Sequence, residues 1–200
     1  MNDFFKEKRP HHGLDYAAFM EREMEQKLKD IESGKINDAH AHHIKMNYHR
    51  SSRIQKTYTV SQELCESVKS IEQPQLWMVL TEAWCGDSAQ ILPEIAKVAA
   101  CNKMIELKIL LRDENPDIME RYLTDGKRAI PKLIAFDPEG NELFRWGPRP
   151  KAAAALVCRH LADGIEKMKV YEKLHKWYAK DRGKAIEAEF HELLGHFRAA

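Results

Sequence analysis

The hydrophobic pattern changes period twice along the chain. Between residues 14 and 33, Tyr16, Met20, Met24, Leu28 and Ile31 fall three or four apart, the spacing of one helix face, and Gly34 supplies a stop. Asn37 and Asp38 are capping residues for a second helix, rich in His and Arg, running to about Tyr58. Ser61 caps a third, with Leu64, Val68 and Ile71 on one side. The first third of the chain therefore reads as helical.

The middle reads differently. "QLWMVLTEAW" is a continuous apolar run of the buried-strand type. A helix starts near Gly86 and buries Ile91, Leu92, Ile95 and Val98, and "IELKILL" (105–111) is the next strand. Asn115 followed by Pro116 starts a short helix with Ile118, Met119 and Tyr122 inward. "PKLIAFD" (131–137), the turn "DPEGN" and "ELFRW" form a hairpin. Strand, helix, strand, helix, strand, strand predicts a mixed sheet with a parallel crossover.

From Pro150 the helical period returns, through about Ala162, with Gly164 as a stop, and "IEKMKVYEKLHKWYAK" continues it. After Gly183, Ile186, Phe190, Leu193, Leu194 and Phe197 make one apolar stripe, read as packing on the core or the preceding helix before a homodimer contact. The expected layout is a helical extension over 1–73, a core over 74–163 and a second extension over 164–200.

Composition narrows the function. Lys and Arg number 32 against 31 Asp and Glu, so no charge bias points to nucleic acid or an anionic membrane. No window approaches the roughly 18 apolar residues of a membrane span, and "MNDFFKEKRP" has no signal-type apolar stretch. A cytoplasmic monomer or weak homodimer is expected. Cys65, Cys85, Cys101 and Cys158 are scattered, unlike a secreted disulfide framework, and no pair has zinc-ligand spacing, so no metal or cofactor is expected.

The chemistry concentrates in "TEAWCGDSAQILPEI", residues 81–95, where a cysteine sits at a strand-to-helix junction. A cysteine at a helix start faces unpaired backbone N–H groups, which lower its pKa from about 8.5 into the region of roughly 3.5–7.5. Cys85 is the one cysteine so placed. Ser88, one turn on, can donate its hydroxyl to the sulfur, while the Asp87 charge opposes the thiolate. A moderate depression is expected, and Cys85 is the expected most reactive thiol. Cys101, sixteen residues on at about 1.5 Å each, lies roughly 24 Å away. It reads with Cys65 and Cys158 as a small buried hydrophobe.

Taken in order, "AWCGDS", Pro93 eight residues past Cys85, "AIPKLIAF", Gly140 and Gly147 resemble the thioredoxin superfamily over residues 75–162. The flanks "KMNYHRSSRIQKTY" and "HKWYAKDRGKAI" resemble a bacterial group of thioredoxin-like proteins. The resemblance implies an α/β fold: a thioredoxin-like mixed sheet flanked by helices, with added helical extensions at both ends. It implies Cys85 as the attacking thiol, and Pro131 as a cis-proline with Ile130 presenting its backbone to an extended substrate. Trp84, Gly86 and Asp87 frame the same site, with Trp84 and Trp146 as an apolar rim.

Two departures shape the mechanism. Ser88 stands where the second cysteine would be, and Val79 where thioredoxins carry a buried Asp. Attack by Cys85 on a protein disulfide would then stop at the mixed disulfide, and an external low-molecular-weight thiol or a second cysteine of the substrate would release it. The other readings are a non-catalytic binding module of the same fold, and an engineered serine in a dithiol oxidoreductase. His40, His42, His43 and His49 read as a solvated helix face rather than metal ligands. "HELLGH" has its histidines five apart, which misses the zinc-helix spacing of four.

Overall fold

The structure is a computed structural model that describes residues 3–37 and 39–198, with 196–198 described in backbone only. Asp38 and the side chain of Phe197 therefore lie outside the described residues.

Four strands form one sheet in the order β2-β1-β3-β4. The central strand β1 (Gln75–Thr81) pairs in parallel with β2 (Ile105–Leu111) and antiparallel with β3 (Lys132–Phe136), which turns back into β4 (Glu142–Trp146). Side chains alternate across a strand, so β1 serves two cores. Leu76, Met78 and Leu80 join one, and Trp77 and Val79 the other.

The first core is thin. It is covered by α7 (Pro116–Glu120) and by Phe4 and Phe5 of α1 (Asp3–Lys6), a short N-terminal helix with no counterpart in the sequence reading. Gly140, at φ +80°, lets the hairpin pass under Phe5; a Cβ there would lie 2.4 Å from that ring.

The second core is thick. The sheet packs on α6 (Gly86–Ala99) and α8 (Lys151–Ala162), and the extensions wrap their outer side. From the N-terminal side come α2 (Tyr16–Phe19), α3 (Lys27–Glu32), α4 (Ala41–Thr57) and α5 (Gln62–Lys69); from the other end come α9 (Lys167–Asp181) and α10 (Lys184–Arg198). As a result α6 is buried nearly all round, polar residues included.

Three local expectations need correction. Residues 16–32 are helical, but Leu14 is not: it bridges Ile109 of β2. Between α2 and α3, residues Met20–Gln26 form a π-helical turn. Its wider spacing buries Phe19 and Met24, five apart, where an ideal helix would have paired Met20 with Met24. The second helix starts at Ala41 with His40 as its N-cap and no side-chain cap bond. Ser61 does cap α5, accepting from Leu64 N.

The cysteines are the largest correction. Cys65 of α5 and Cys101, just past α6, form a disulfide with Cα atoms 5.5 Å apart. Cys158 is exposed on α8. Thirty-six residues separate the bonded pair, so spacing alone gave no sign of it. They meet because α5 docks on the end of α6, where the Asn102 amide donates to Val68 O and Ile71 O at 2.8 Å each.

Candidate functional site

β1 ends at Thr81, residues 82–84 turn, and Cys85 becomes the N-cap of α6 with extended backbone, φ −75° and ψ 117°. The helix start thus lies just beyond the strand end, as the junction motif requires. The Cys85 thiol donates to Ile130 O at 3.4 Å. The peptide that follows, Ile130–Pro131, is cis, and so is Gly147–Pro148 beside it. The cysteine and the proline segment come together from residues 45 apart.

The thiol does not have the depressed pKa expected of it. Cys85 is only 7% exposed, and burial pushes its pKa up to about 11. The charge of Asp87 raises it further, while the Ser88 hydroxyl and the Ser88 and Asp87 backbone groups pull the other way. The helix start is present as expected; desolvation outweighs it, because Cys85 is packed into the thin core with Ile130 and Trp84, while the extensions cover its neighbours Ala83, Gly86 and Asp87.

That cover is a polar network. Asp87 is buried and accepts from Tyr178 Oη of α9 at 2.6 Å and from an Arg149 guanidinium nitrogen at 2.5 Å. Burial raises the Asp87 pKa; Arg149 and Tyr178 oppose the rise. The His175 ring lies over Gly86, where an added Cβ would meet it at 3.0 Å, and its Nδ1 is 3.3 Å from Gln90 Nε2. Burial and the nearby Arg50 and Arg149 charges hold the His175 pKa down at about 4, so the ring is neutral at ordinary pH. From α4, buried Asn47 donates to Ala83 O at 3.0 Å and accepts from Arg50 at 2.9 Å.

Ser88 is buried, and its oxygen accepts from the Thr81 hydroxyl at 2.5 Å. The same hydroxyl also acts on the Cys85 thiol, lowering its pKa against the effect of burial. Trp84 remains part-exposed, stacked on His40 at 5.1 Å with the Arg112 guanidinium 4.8 Å over its ring. Trp146 is no rim residue: it is buried against Phe190 at 5.5 Å and donates to Glu189 at 2.7 Å.

The structure therefore brings Trp84, Cys85, Gly86, Asp87, Ser88, Ile130 and Pro131 to one place. It adds Asn47, Arg50, Arg149, His175 and Tyr178, to which the sequence reading gave no role. Four of these five lie in or beside the flanking stretches already singled out, since Asn47 and Arg50 are in "KMNYHRSSRIQKTY" and His175 and Tyr178 are in "HKWYAKDRGKAI". His42, His43 and His49 are exposed, and among the described residues no cluster is arranged to hold a metal ion. Nor is any helix, among the described residues, long and apolar enough to cross a membrane.

Comparison with known proteins adds three findings. The thioredoxin family profile matches residues 33–175. A crystallised HIV epitope-scaffold is similar over 97% of this chain and 98% of its own, at 21% identity and a TM-score of 0.63. A Pseudomonas aeruginosa protein of unknown function is similar over 88% and 96%, at 22% identity and a TM-score of 0.57. Both structural likenesses are of fold.

Proposed function

The chain belongs to the thioredoxin family, and from that premise we propose that it exchanges thiols and disulfides through Cys85 alone. The Cys85 thiolate attacks one sulfur of a substrate disulfide. A Cys85–substrate disulfide forms, and the other sulfur leaves as a thiolate that takes up the proton lost from Cys85. An external thiol then attacks the mixed disulfide, frees Cys85 and carries the substrate sulfur away as a new disulfide. Ser88 has no thiol to do this internally.

The observation that carries the reading is the contact between the Cys85 thiol and the Ile130 carbonyl. It places the sulfur against the backbone edge on which an extended substrate would pair. In this reading the core, residues 74–163, supplies the chemistry, and the extensions, 1–73 and 164–200, cover it. The resting thiol is protonated and shielded, so substrate access requires His175 and Tyr178 to move off Gly86 and Asp87.

A second reading, a binding module without exchange chemistry, is favoured by the burial of Cys85 and its raised pKa. Insulin reduction with dithiothreitol and a deglutathionylation assay separate the two. An exchange protein exceeds its Cys85→Ala variant in at least one assay; a module equals it in both. The Cys65–Cys101 bond favours an oxidising setting, since reducing compartments rarely keep a structural disulfide. We therefore infer that the protein works where that bond survives.

A further inference from the structure

A cavity of about 550 Å³ opens between the end of α4, the middle of α6 and the end of α9. The size suits a small organic molecule, and the exchange chemistry makes no use of it. One wall carries Glu94, a residue only 7% exposed. Among the described residues, no donor reaches hydrogen-bond distance of its carboxyl. The charged groups facing it are mainly of its own sign: Asp181 and Glu187 act with burial to raise its pKa to about 8, and Arg53 alone opposes them. The carboxyl is thus largely desolvated, opens onto the cavity and has no donor from the described residues. A bound ammonium would supply the donor that the chain does not, and its charge would draw the carboxyl into its ionised form.

Two guanidinium groups, Arg53 and Arg182, line the same cavity. Both residues are exposed, and neither side chain makes a hydrogen bond or close ion pair among the described residues. Their planar forks match a carboxylate. Tyr58 and Tyr178 commit their hydroxyls elsewhere, to Glu187 at 2.8 Å and Asp87 at 2.6 Å, so they offer ring surface to an aliphatic portion. The lining thus offers an acceptor for a cation, two donors for an anion, and apolar surface between.

We propose that this cavity binds a small zwitterion, a free amino acid or short peptide, with its ammonium on Glu94 and its carboxylate on Arg53 and Arg182. The site is distinct from Cys85. Glu94 lies nine residues further along α6, roughly 14 Å at about 1.5 Å per residue. The two are adjacent through shared walls: Gln90 and Tyr178 line the cavity and also contact His175, which lies over Gly86, and Asp87. The proposal goes beyond the exchange reading and does not depend on it.

Saturation-transfer NMR on the full chain, with tri-alanine as the probe, tests it. Tri-alanine should bind. N-acetyl-tri-alanine and tri-alanine amide should each bind about tenfold more weakly, the scale of one lost charge-assisted contact. Glu94→Gln should weaken tri-alanine by about the same factor and leave the acetylated form unchanged. The double variant Arg53→Ala with Arg182→Ala, both at exposed positions, should weaken tri-alanine more than its amide. Cys85→Ala should bind as the wild type does, whatever its exchange activity. No binding of tri-alanine would overturn the proposal, as would an acetylated form that binds equally well. Displacement by inorganic phosphate that ignores Glu94→Gln would also overturn it and mark an anion site only.

Discussion

The Ser51 hydroxyl donates to the Ala89 carbonyl at 3.2 Å. Ala89 lies four residues before Pro93, and Pro93 has no N–H to close that turn of α6. The serine of the N-terminal extension therefore supplies a donor that the proline removes from the active-site helix, and both groups are buried. Ser51→Ala should leave the carbonyl without that donor and cost about 1–3 kcal/mol. Urea unfolding of the variant measures this. Stability equal to that of the wild type would show that the carbonyl is satisfied without Ser51.

The Cys65–Cys101 bond ties the same extension to the far end of α6. It closes a loop of 36 residues, for which the chain-entropy argument gives roughly 4 kcal/mol. Cys65→Ser should lower the melting temperature by several degrees. Reduction should lower that of the wild type and leave the variant unchanged. If both proteins melt together in oxidising buffer, the bond contributes no net stability.

The sheet and its helices were legible because each strand and helix announces its own period. "LWMVL" is apolar throughout because β1 is buried on both faces, and Ser61 is a cap that needs no tertiary context. The covered state of Cys85 was not legible. Its thiol responds to Asp87, and Asp87 is held by Arg149 and Tyr178, which lie 62 and 91 residues away. Sequence spacing carries the helix N-terminus, which is local; it does not carry burial, which is set by residues that the fold brings in from far along the chain. The same limit hid the disulfide, and α1, too short to show a period at all, whose Phe4 and Phe5 complete the thin core.

Cover and charge together set the order of thiol reactivity. Cys158 is exposed and Cys85 buried with a raised pKa, so limiting iodoacetamide should label Cys158 first. Asp87→Asn removes a negative charge beside the sulfur and frees the Arg149 cation from its partner. Both changes favour the thiolate, so the Cys85 pKa should fall below its value of about 11 and its labelling should quicken. Peptide mapping across a pH series reads both effects. An unchanged Cys85 profile would mean that burial alone sets the thiol.

Buried Glu94 and half-buried His175 give stability a pH dependence of opposite signs. His175 titrates at about 4 when folded and 6.5 when free, so the unfolded chain takes up the proton first; its contribution is full above 6.5 and is lost as pH falls toward 4. Glu94 titrates at about 8 when folded and 4.5 when free. The folded chain keeps that proton, so stability falls as pH rises from 4.5 to about 8. The two slopes oppose each other between 4.5 and 6.5, and above 6.5 Glu94 acts without His175. Melting temperatures from pH 6.5 to 8 should fall less for Glu94→Gln than for the wild type. Below 6.5, His175→Gln should lose less than the wild type as acid is added. Parallel curves for wild type and either variant would show that the substituted group does not titrate in that window.

Ser88 decides which half of the exchange reaction the chain can perform. Its side chain is buried, bonded to Thr81, and close enough to pull on the Cys85 thiol. Ser88→Cys should therefore form an internal disulfide with Cys85, since three residues separate the pair and closing so small a loop takes little chain entropy. Thiol titration after mild oxidation should show both groups lost together. The variant should then release its own mixed disulfides and gain insulin reductase activity over the wild type. The gain should be partial, because buried Val79 offers no acid or base to the resolving step. If the disulfide forms and insulin is still not reduced, the cover over Gly86 does not open to disulfide substrates, and the binding-module reading holds. If the wild type already turns over as fast, an external thiol resolves efficiently, and the serine marks a monothiol enzyme.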